Sequence, residues 1–173
     1  MTDEQMKFPI GDFKAPVSYT AEDLRKWITT IKEFPGRLRQ AIINLNEKQL
    51  DTPYRTGGWT IRQVVHHCAD SHMNSLLRFK WALTEDSPVV KPYEEADWAL
   101  LPDYRMPVES SLKMLEGMHQ HWVALLESFT ENEWERSFKR PSGETIQLKK
   151  ALALYAWHSK HHLAHVTETI KKF

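Results

Sequence analysis

The chain has 173 residues, a length that suits one domain, residues 1–173, with its own apolar core. Its 23 lysines and arginines balance 23 aspartates and glutamates, so no excess positive charge is present to bind nucleic acid or an anionic membrane. The single cysteine, Cys68, excludes an internal disulfide and a thiolate-rich metal site. Because the start of the chain lacks the apolar run of a signal peptide, and no stretch reaches the ~20 apolar residues of a membrane span, we expect a cytoplasmic protein.

Four segments have apolar residues at the three- and four-residue spacing that is typical of amphipathic helices. The first begins after Thr20, a candidate N-cap, and contains Pro35, which should kink or split the helix. The second begins at Thr60, where Thr60 and Gln63 form a capping-box pattern. The predicted helices cover approximately residues 21–45, 60–83, 108–129 and 147–171.

Four amphipathic helices in one domain predict an all-α four-helix bundle, and no segment alternates strongly enough to predict a strand. Helices two and three are joined by a long connection, Glu85 to Pro107, through which the chain can return along the bundle, so that these two helices can run parallel. Three aromatic residues of the connection are candidates to cover a site or, equally, to pack across the bundle end: Tyr93, Trp98 and Tyr104.

The nine histidines gather in three short stretches, residues 66–72, 119–121 and 158–165. The last stretch contains two pairs with four-residue spacing, His158 with His162 and His161 with His165. Residues four apart share one face of a helix, so each pair can present two ring nitrogens to one metal ion. The alternative is a set of buried, hydrogen-bonded histidines with the remainder solvated.

Helical-wheel positions favour one pair over the other. On helix four, His158 and His162 lie towards the apolar stripe, whereas His161 and His165 lie further out. On helix two the stripe is centred near His72, which we expect to be a buried, hydrogen-bonded histidine. Periodicity leaves the choice of a third ligand open: His67 lies on a flank of the helix-two stripe, His66 lies on the far side of that helix, and His119 lies at the edge of the helix-three stripe.

Two stretches together resemble the YfiT group of metal-dependent hydrolases within the DinB-like superfamily: GGWTIRQVVHHCADSHMNSLLRFK (57–80) and LYAWHSKHHLAHVTE (154–168). The resemblance covers nearly the whole chain. It implies a four-helix bundle that forms a homodimer and binds one divalent metal per chain, zinc or nickel, through three histidines. Carried over by motif, the ligands are His67, His158 and His162.

On helix two the resemblance favours His67 where the wheel favours His72, and we follow the resemblance. Candidate partners around the ligands are Asp70, one turn from His67, together with His119 and His165. The wider superfamily often has glutamine at the position of His165. No HExxH motif lies near the ligands, which argues against a zincin-type protease.

Three neutral imidazoles with an open position are typical of catalytic metal sites, where bound water reaches a pKa near ~7. We therefore predict a metal-dependent hydrolase with a small-molecule substrate. The alternative implied by the resemblance is a thiol S-transferase, in which the open position holds a low-molecular-weight thiol such as bacillithiol. A third hypothesis, a metal-binding stress protein without turnover, predicts a closed site. Arg62 and Arg78 could bind an acidic group of a substrate, although solvated surface arginines are commoner.

Overall fold

The computed structural model describes residues 2–173 and contains four long helices that form a bundle. Short helices and one hairpin lie in the connections between these long helices. In chain order the elements are α1 (Asp3–Lys7), α2 (Ala21–Ile42), α3 (Glu47–Leu50), α4 (Ile61–Thr84), α5 (Glu95–Trp98), a 3-10 helix (Pro102–Arg105), α6 (Glu109–Glu127), α7 (Glu131–Trp134), β1 (Ser137–Lys139), β2 (Thr145–Gln147) and α8 (Leu148–Ile170). The four predicted helices are α2, α4, α6 and α8, so the predicted fold class is confirmed.

The predicted helix starts are confirmed by their caps. The Thr20 side chain accepts a hydrogen bond from the backbone N–H of Asp23, whose carboxylate accepts one from the Thr20 N–H. Thr60 and Gln63 form the same reciprocal pair at the start of α4. These bonds satisfy N–H groups that have no partner within the helix. Helix α2 runs through Pro35 as one helix and is therefore not split.

The long helices α4 and α6 run parallel, as the length of their connection predicts. Near their starts, His66 Nδ1 lies 2.7 Å from Ser111 Oγ. Near their ends, the rings of Phe79 and Phe129 are 6.3 Å apart. Helix α4 packs against α6 and α8, and α2 likewise packs against α6 and α8, which closes the bundle. Within residues 2–173 no helix combines the length and apolar character needed to cross a membrane.

The expectation of no strand is wrong, because β1 and β2 form a small antiparallel hairpin in which Phe138 lies opposite Ile146. Each strand has only three residues and one buried side chain, too few for alternation to be visible in the sequence. Gly143 in the turn has φ 87°, a conformation that favours glycine. Val89 of the long connection pairs with Lys139, which ties that connection to the hairpin.

The apolar core has two parts that meet at a layer of buried histidines. One part contains Phe79, Trp122, Leu152 and Tyr155, and the other contains Phe34, Leu38, Val65 and Val166. His72, which has no solvent exposure, packs between them. Its ring lies 5.1 Å from that of Phe34 and 5.9 Å from that of Trp122. The prediction that His72 is buried is confirmed.

Candidate metal centre

Three histidines from two antiparallel helices converge at one edge of this layer. His67 projects from α4, and His158 and His162 lie one turn apart on α8. The Nε2 atoms of His67 and His158 are 3.2 Å apart, and the ring of His162 lies 4.7 Å from that of His67. One donor nitrogen from each of the three lies within 4.8 Å of the others. The structure therefore brings together the three residues that the resemblance implies as ligands.

The donor set fits a divalent metal in both geometry and charge. Two nitrogens at about 2.0–2.1 Å from a tetrahedral zinc ion are about 3.3–3.4 Å apart, close to the 3.2 Å between His67 and His158. Burial, with smaller contributions from His165 and His161, lowers the pKa of His67 to about 3. Burial also holds the pKa values of His158 and His162 well below their usual range. Neutral imidazoles keep a lone pair available for a metal.

A chain of hydrogen bonds connects His158 to the far side of the bundle. His158 Nδ1 lies 3.1 Å from His72 Nε2, and His72 Nδ1 lies 2.8 Å from His119 Nε2. His119 Nδ1 in turn lies 2.6 Å from the carbonyl oxygen of Ile31. The rings are neutral, because burial lowers the pKa of His119 to about 4 and that of His72 well below its usual value.

The direction of donation along these hydrogen bonds follows from the last acceptor in the series. A carbonyl oxygen can only accept, so His119 Nδ1 donates to Ile31 and His119 Nε2 carries a lone pair. His72 Nδ1 then donates to His119, and His158 Nδ1 donates to His72. The lone pair of His158 is thereby left on Nε2, the atom that faces His67. The protein thus selects the tautomer of one candidate ligand, a known role of residues around metal-binding histidines.

The predicted outward position of His161 and His165 is wrong, because both are buried, at 7% and 2% exposure. Segments that the wheel does not represent cover this side of α8. The ring of Tyr54, from the connection between α3 and α4, stacks on His165 at 4.0 Å. Trp157 lies on α8 itself, and its ring stacks on His161 at 4.5 Å. Phe8, just after α1, lies 6.1 Å from His161.

These two histidines and His162 form a second group whose donor atoms lie within 4.8 Å of one another. His165 Nδ1 is 3.3 Å from His162 Nδ1. Within residues 2–173, His161 Nδ1 and His165 Nε2 have no hydrogen-bond partner.

Two cavities border His158. One, of about 400 Å³, contains the three candidate ligands and is bounded by Lys7, Phe8, Tyr54, Arg55, Trp59 and Trp157. The other, of about 470 Å³, lies between α4, α8, the long connection and the hairpin. Glu95 of α5 lines both cavities. His158 therefore borders open space on two sides, and His67 and His162 line the first of these cavities.

Comparison with known proteins agrees with this geometry. The sequence model of the DinB superfamily matches residues 30–166. The chain belongs to the DinB superfamily. It is 48% identical over 166 residues to a proposed metal-dependent hydrolase of Oceanobacillus iheyensis, with 96% of each chain covered. It is 52% identical over 164 residues to another of Bacillus mycoides, with 95% of each chain covered.

Among solved structures, this DinB-superfamily chain is similar to YfiT from Bacillus subtilis, with a TM-score of 0.94, 46% identity and 97% of each chain covered. That protein is described as a probable metal-dependent hydrolase with an unusual four-helix bundle topology. The mycothiol-dependent maleylpyruvate isomerase shares the fold, with a TM-score of 0.61 and 15% identity over 80% of this chain and 60% of that one. The predicted resemblance to the YfiT group is confirmed.

Other predicted site residues of this DinB-superfamily chain lie apart from the ligands. The carboxylate of Asp70 accepts a hydrogen bond from the Tyr104 hydroxyl at 2.6 Å, and burial raises the pKa of Asp70. Arg62 is buried and held by Glu47 and Asp51 at 2.5 and 2.7 Å. It therefore joins α3 to the start of α4.

Residues that sequence reasoning missed are Tyr54, Trp59 and Glu95. No spacing signal marks them, because loops and a four-residue helix bring them to the histidines.

Proposed function

We propose that this chain is a metal-dependent hydrolase of a small molecule, with one divalent metal held by His67, His158 and His162. The observation that carries the proposal is the convergence of three neutral imidazoles beside two cavities. A divalent metal in such a site supplies a nucleophile near neutral pH by lowering the pKa of bound water, and polarises a carbonyl or phosphoryl oxygen. The names of the relatives support this reaction class.

The protein side chains then have separate roles. His72 and His119 hold the ring of His158 with Nε2 directed to the site. Trp59, whose ring lies 4.6 Å from that of His67, covers the ligands and limits the entry of bulk water. Glu95 lines both cavities, and its carboxylate is the candidate to accept a proton during attack. This role was not predicted from the sequence, which marks no dedicated base.

The first experiment is metal analysis by mass spectrometry on untagged protein, together with hydrolysis of a panel of p-nitrophenyl esters. We expect about one equivalent of metal per chain, and activity that a chelator removes and added metal restores. His162→Ala should retain less than about a tenth of the metal. His121→Ala, which changes an exposed histidine of α6, is the matched control and should retain all of it. A full equivalent of metal in His162→Ala would refute the ligand assignment.

Two narrower expectations stay predictions. Three imidazoles accept zinc or nickel, and the metal analysis distinguishes them. The homodimer implied by the resemblance is tested by sedimentation velocity of the purified protein.

A non-catalytic metal-binding protein would have a closed site, and the two cavities beside the ligands argue against that alternative.

A thiol S-transferase is the second candidate. Lys7 and Arg55 line the cavity that contains the three histidines, and nearby cations stabilise a thiolate. Titration of cobalt-substituted protein with bacillithiol tests this reaction. A thiolate-to-cobalt charge-transfer band, followed by thiol transfer to an electrophile, would favour the S-transferase. No band in a metal-loaded protein would leave the hydrolase ahead.

A further inference from the structure

The larger cavity follows the groove between α4 and α8. These helices are antiparallel, because His67 packs against His162 while Ser71, further along α4, contacts Tyr155. Arg78 lies seven residues beyond Ser71 on α4, and both line the cavity. Seven residues are two helical turns, or about 10.5 Å, so Arg78 lies on the same face as Ser71 and far from the ligands. The cavity therefore has a metal end and a remote end.

The walls between the two ends are apolar. They are formed by the long connection, the hairpin and α8: Val90, Pro92, Phe138, Ile146, Ala151 and Leu154. The metal end is polar, with Ser71 Oγ 3.4 Å from His158 Nε2. A volume of about 470 Å³ with apolar walls and few polar groups is typical of small-molecule sites.

One charged side chain of the cavity, that of Arg78, has no counterion among the described residues. No carboxylate among residues 2–173 lies within ion-pair distance of the Arg78 guanidinium. The other arginine of the lining, Arg140, is paired with Glu144 at 3.2 Å. Glu95 also lines the ligand cavity, which places its negative charge towards the metal end.

An unpaired guanidinium beside an apolar cavity is suited to an anionic ligand, because it forms charge-assisted hydrogen bonds with a carboxylate. We infer that this cavity is the substrate site, and that it selects small molecules with an apolar body about 10 Å long and a carboxylate at the remote end, bound by Arg78. The reacting bond then lies at the His158 end. This inference rests on the proposed function for the reaction, but the anion site itself does not require the metal.

The test compares octanoate with 1-octanol, which has the same chain length and no charge. Dissociation constants are measured by calorimetry on metal-loaded protein and after metal removal. We expect octanoate to bind at least about tenfold more tightly than octanol in both forms. Arg78→Gln should remove this preference while changing octanol binding less than about twofold, and Arg78→Lys should retain part of it.

Arg25→Gln is the matched control, since it removes the same charge from an exposed position on α2. It should leave both affinities unchanged, and thermal melting of each variant verifies the fold. An octanoate preference that survives in Arg78→Gln, or that disappears only on metal removal, would refute the inference. Equal binding of both probes to the wild type would refute it as well. A purified protein without metal would refute the proposed function yet leave the Arg78 comparison interpretable.

Discussion

Two groups of histidines share His162 and differ in how their rings are held. In the inner group, His67, His158 and His162, the ring of His158 is the end of a hydrogen-bond chain that reaches the carbonyl of Ile31. In the outer group, His161, His162 and His165, the rings lie under Trp157 and Tyr54. Both groups place three nitrogens within 4.8 Å of one another, and their rings are buried except that of His158, which is half-buried.

The difference shows that proximity alone does not make a metal site. Stacking fixes the plane of an imidazole, but it does not determine which nitrogen carries the proton. A hydrogen bond to an obligate acceptor does determine it. We therefore expect the inner group, in which the tautomer of His158 is preselected, to bind metal, and the outer group to bind it weakly.

The largest expected effect comes from removing one histidine of each group. His67→Ala should weaken metal binding at least about 100-fold, because it removes a ligand, whereas His165→Ala should weaken it less than about tenfold. Competition with a chelating indicator dye measures both affinities. Equal losses of metal affinity in the two variants would mean that the outer group contributes ligands and that the proposed difference between the two groups is wrong.

The next largest effect is expected on the stability of the folded protein at acid pH. Burial lowers the pKa of His119 from 6.5 to about 4, so below pH 6.5 the unfolded chain binds a proton that the folded chain does not. The contribution of neutral His119 to the free energy of unfolding is therefore complete above pH 6.5 and is lost as the pH falls towards 4. At pH 5 this loss is about 2 kcal/mol.

The variant His119→Gln separates this titration from the hydrogen bonds. Its side-chain amide can still donate to Ile31 and accept from His72, but it does not titrate. Urea unfolding at pH 7 and pH 5 should therefore show a smaller loss of stability in His119→Gln than in the wild type. The same loss in both proteins would mean that His119 is protonated in the folded state.

A smaller effect is expected on metal affinity when the hydrogen-bond chain is broken. His119→Leu leaves His72 without its acceptor, which frees the tautomer of His158, and should lower metal affinity about tenfold. His119→Gln retains the hydrogen bonds to His72 and Ile31 and should bind metal like the wild type. The dye competition assay checks both variants at pH 7.5. Wild-type metal affinity in His119→Leu would show that the hydrogen bonds through His72 and His119 do not orient His158.

The smallest effect is expected in the outer group. Tyr54→Leu removes the ring stacked on His165 at 4.0 Å, and should lower the free energy of unfolding by about 1 kcal/mol. Metal affinity should stay within about twofold of the wild type, since no inner ligand is changed. Urea unfolding and dye titration measure the two quantities. A large loss of metal would indicate that Tyr54 supports the inner ligands as well.

Much of the fold can be predicted from the sequence, because the signals are local. Thr20 and Thr60 mark helix starts through their own side chains. The parallel arrangement of α4 and α6 follows from the length of their connection. The hairpin could not be predicted, since three-residue strands that contribute only Phe138 and Ile146 to the core leave no periodic pattern.

The histidines are predicted less completely, because a helical wheel assumes one buried face. Helix α4 buries residues all around its start, including His66, His67 and His72, since the long connection covers the side opposite the bundle. On α8, Phe8 and Tyr54 cover His161 and His165 from distant parts of the sequence. Periodicity identified the faces turned to other helices, but it contains no information about segments that return over them.

The position of Trp59 has an optical consequence. Its ring lies 4.6 Å from that of His67 and 6.4 Å from that of His162. An open-shell ion such as Ni²⁺ quenches a neighbouring indole, whereas Zn²⁺, with a filled d shell, does not. The wild type should therefore lose emission when Ni²⁺ is added but not when Zn²⁺ is added, and Trp59→Phe should lose much less with either ion. The protein thus contains its own fluorescent indicator of the ion that it binds.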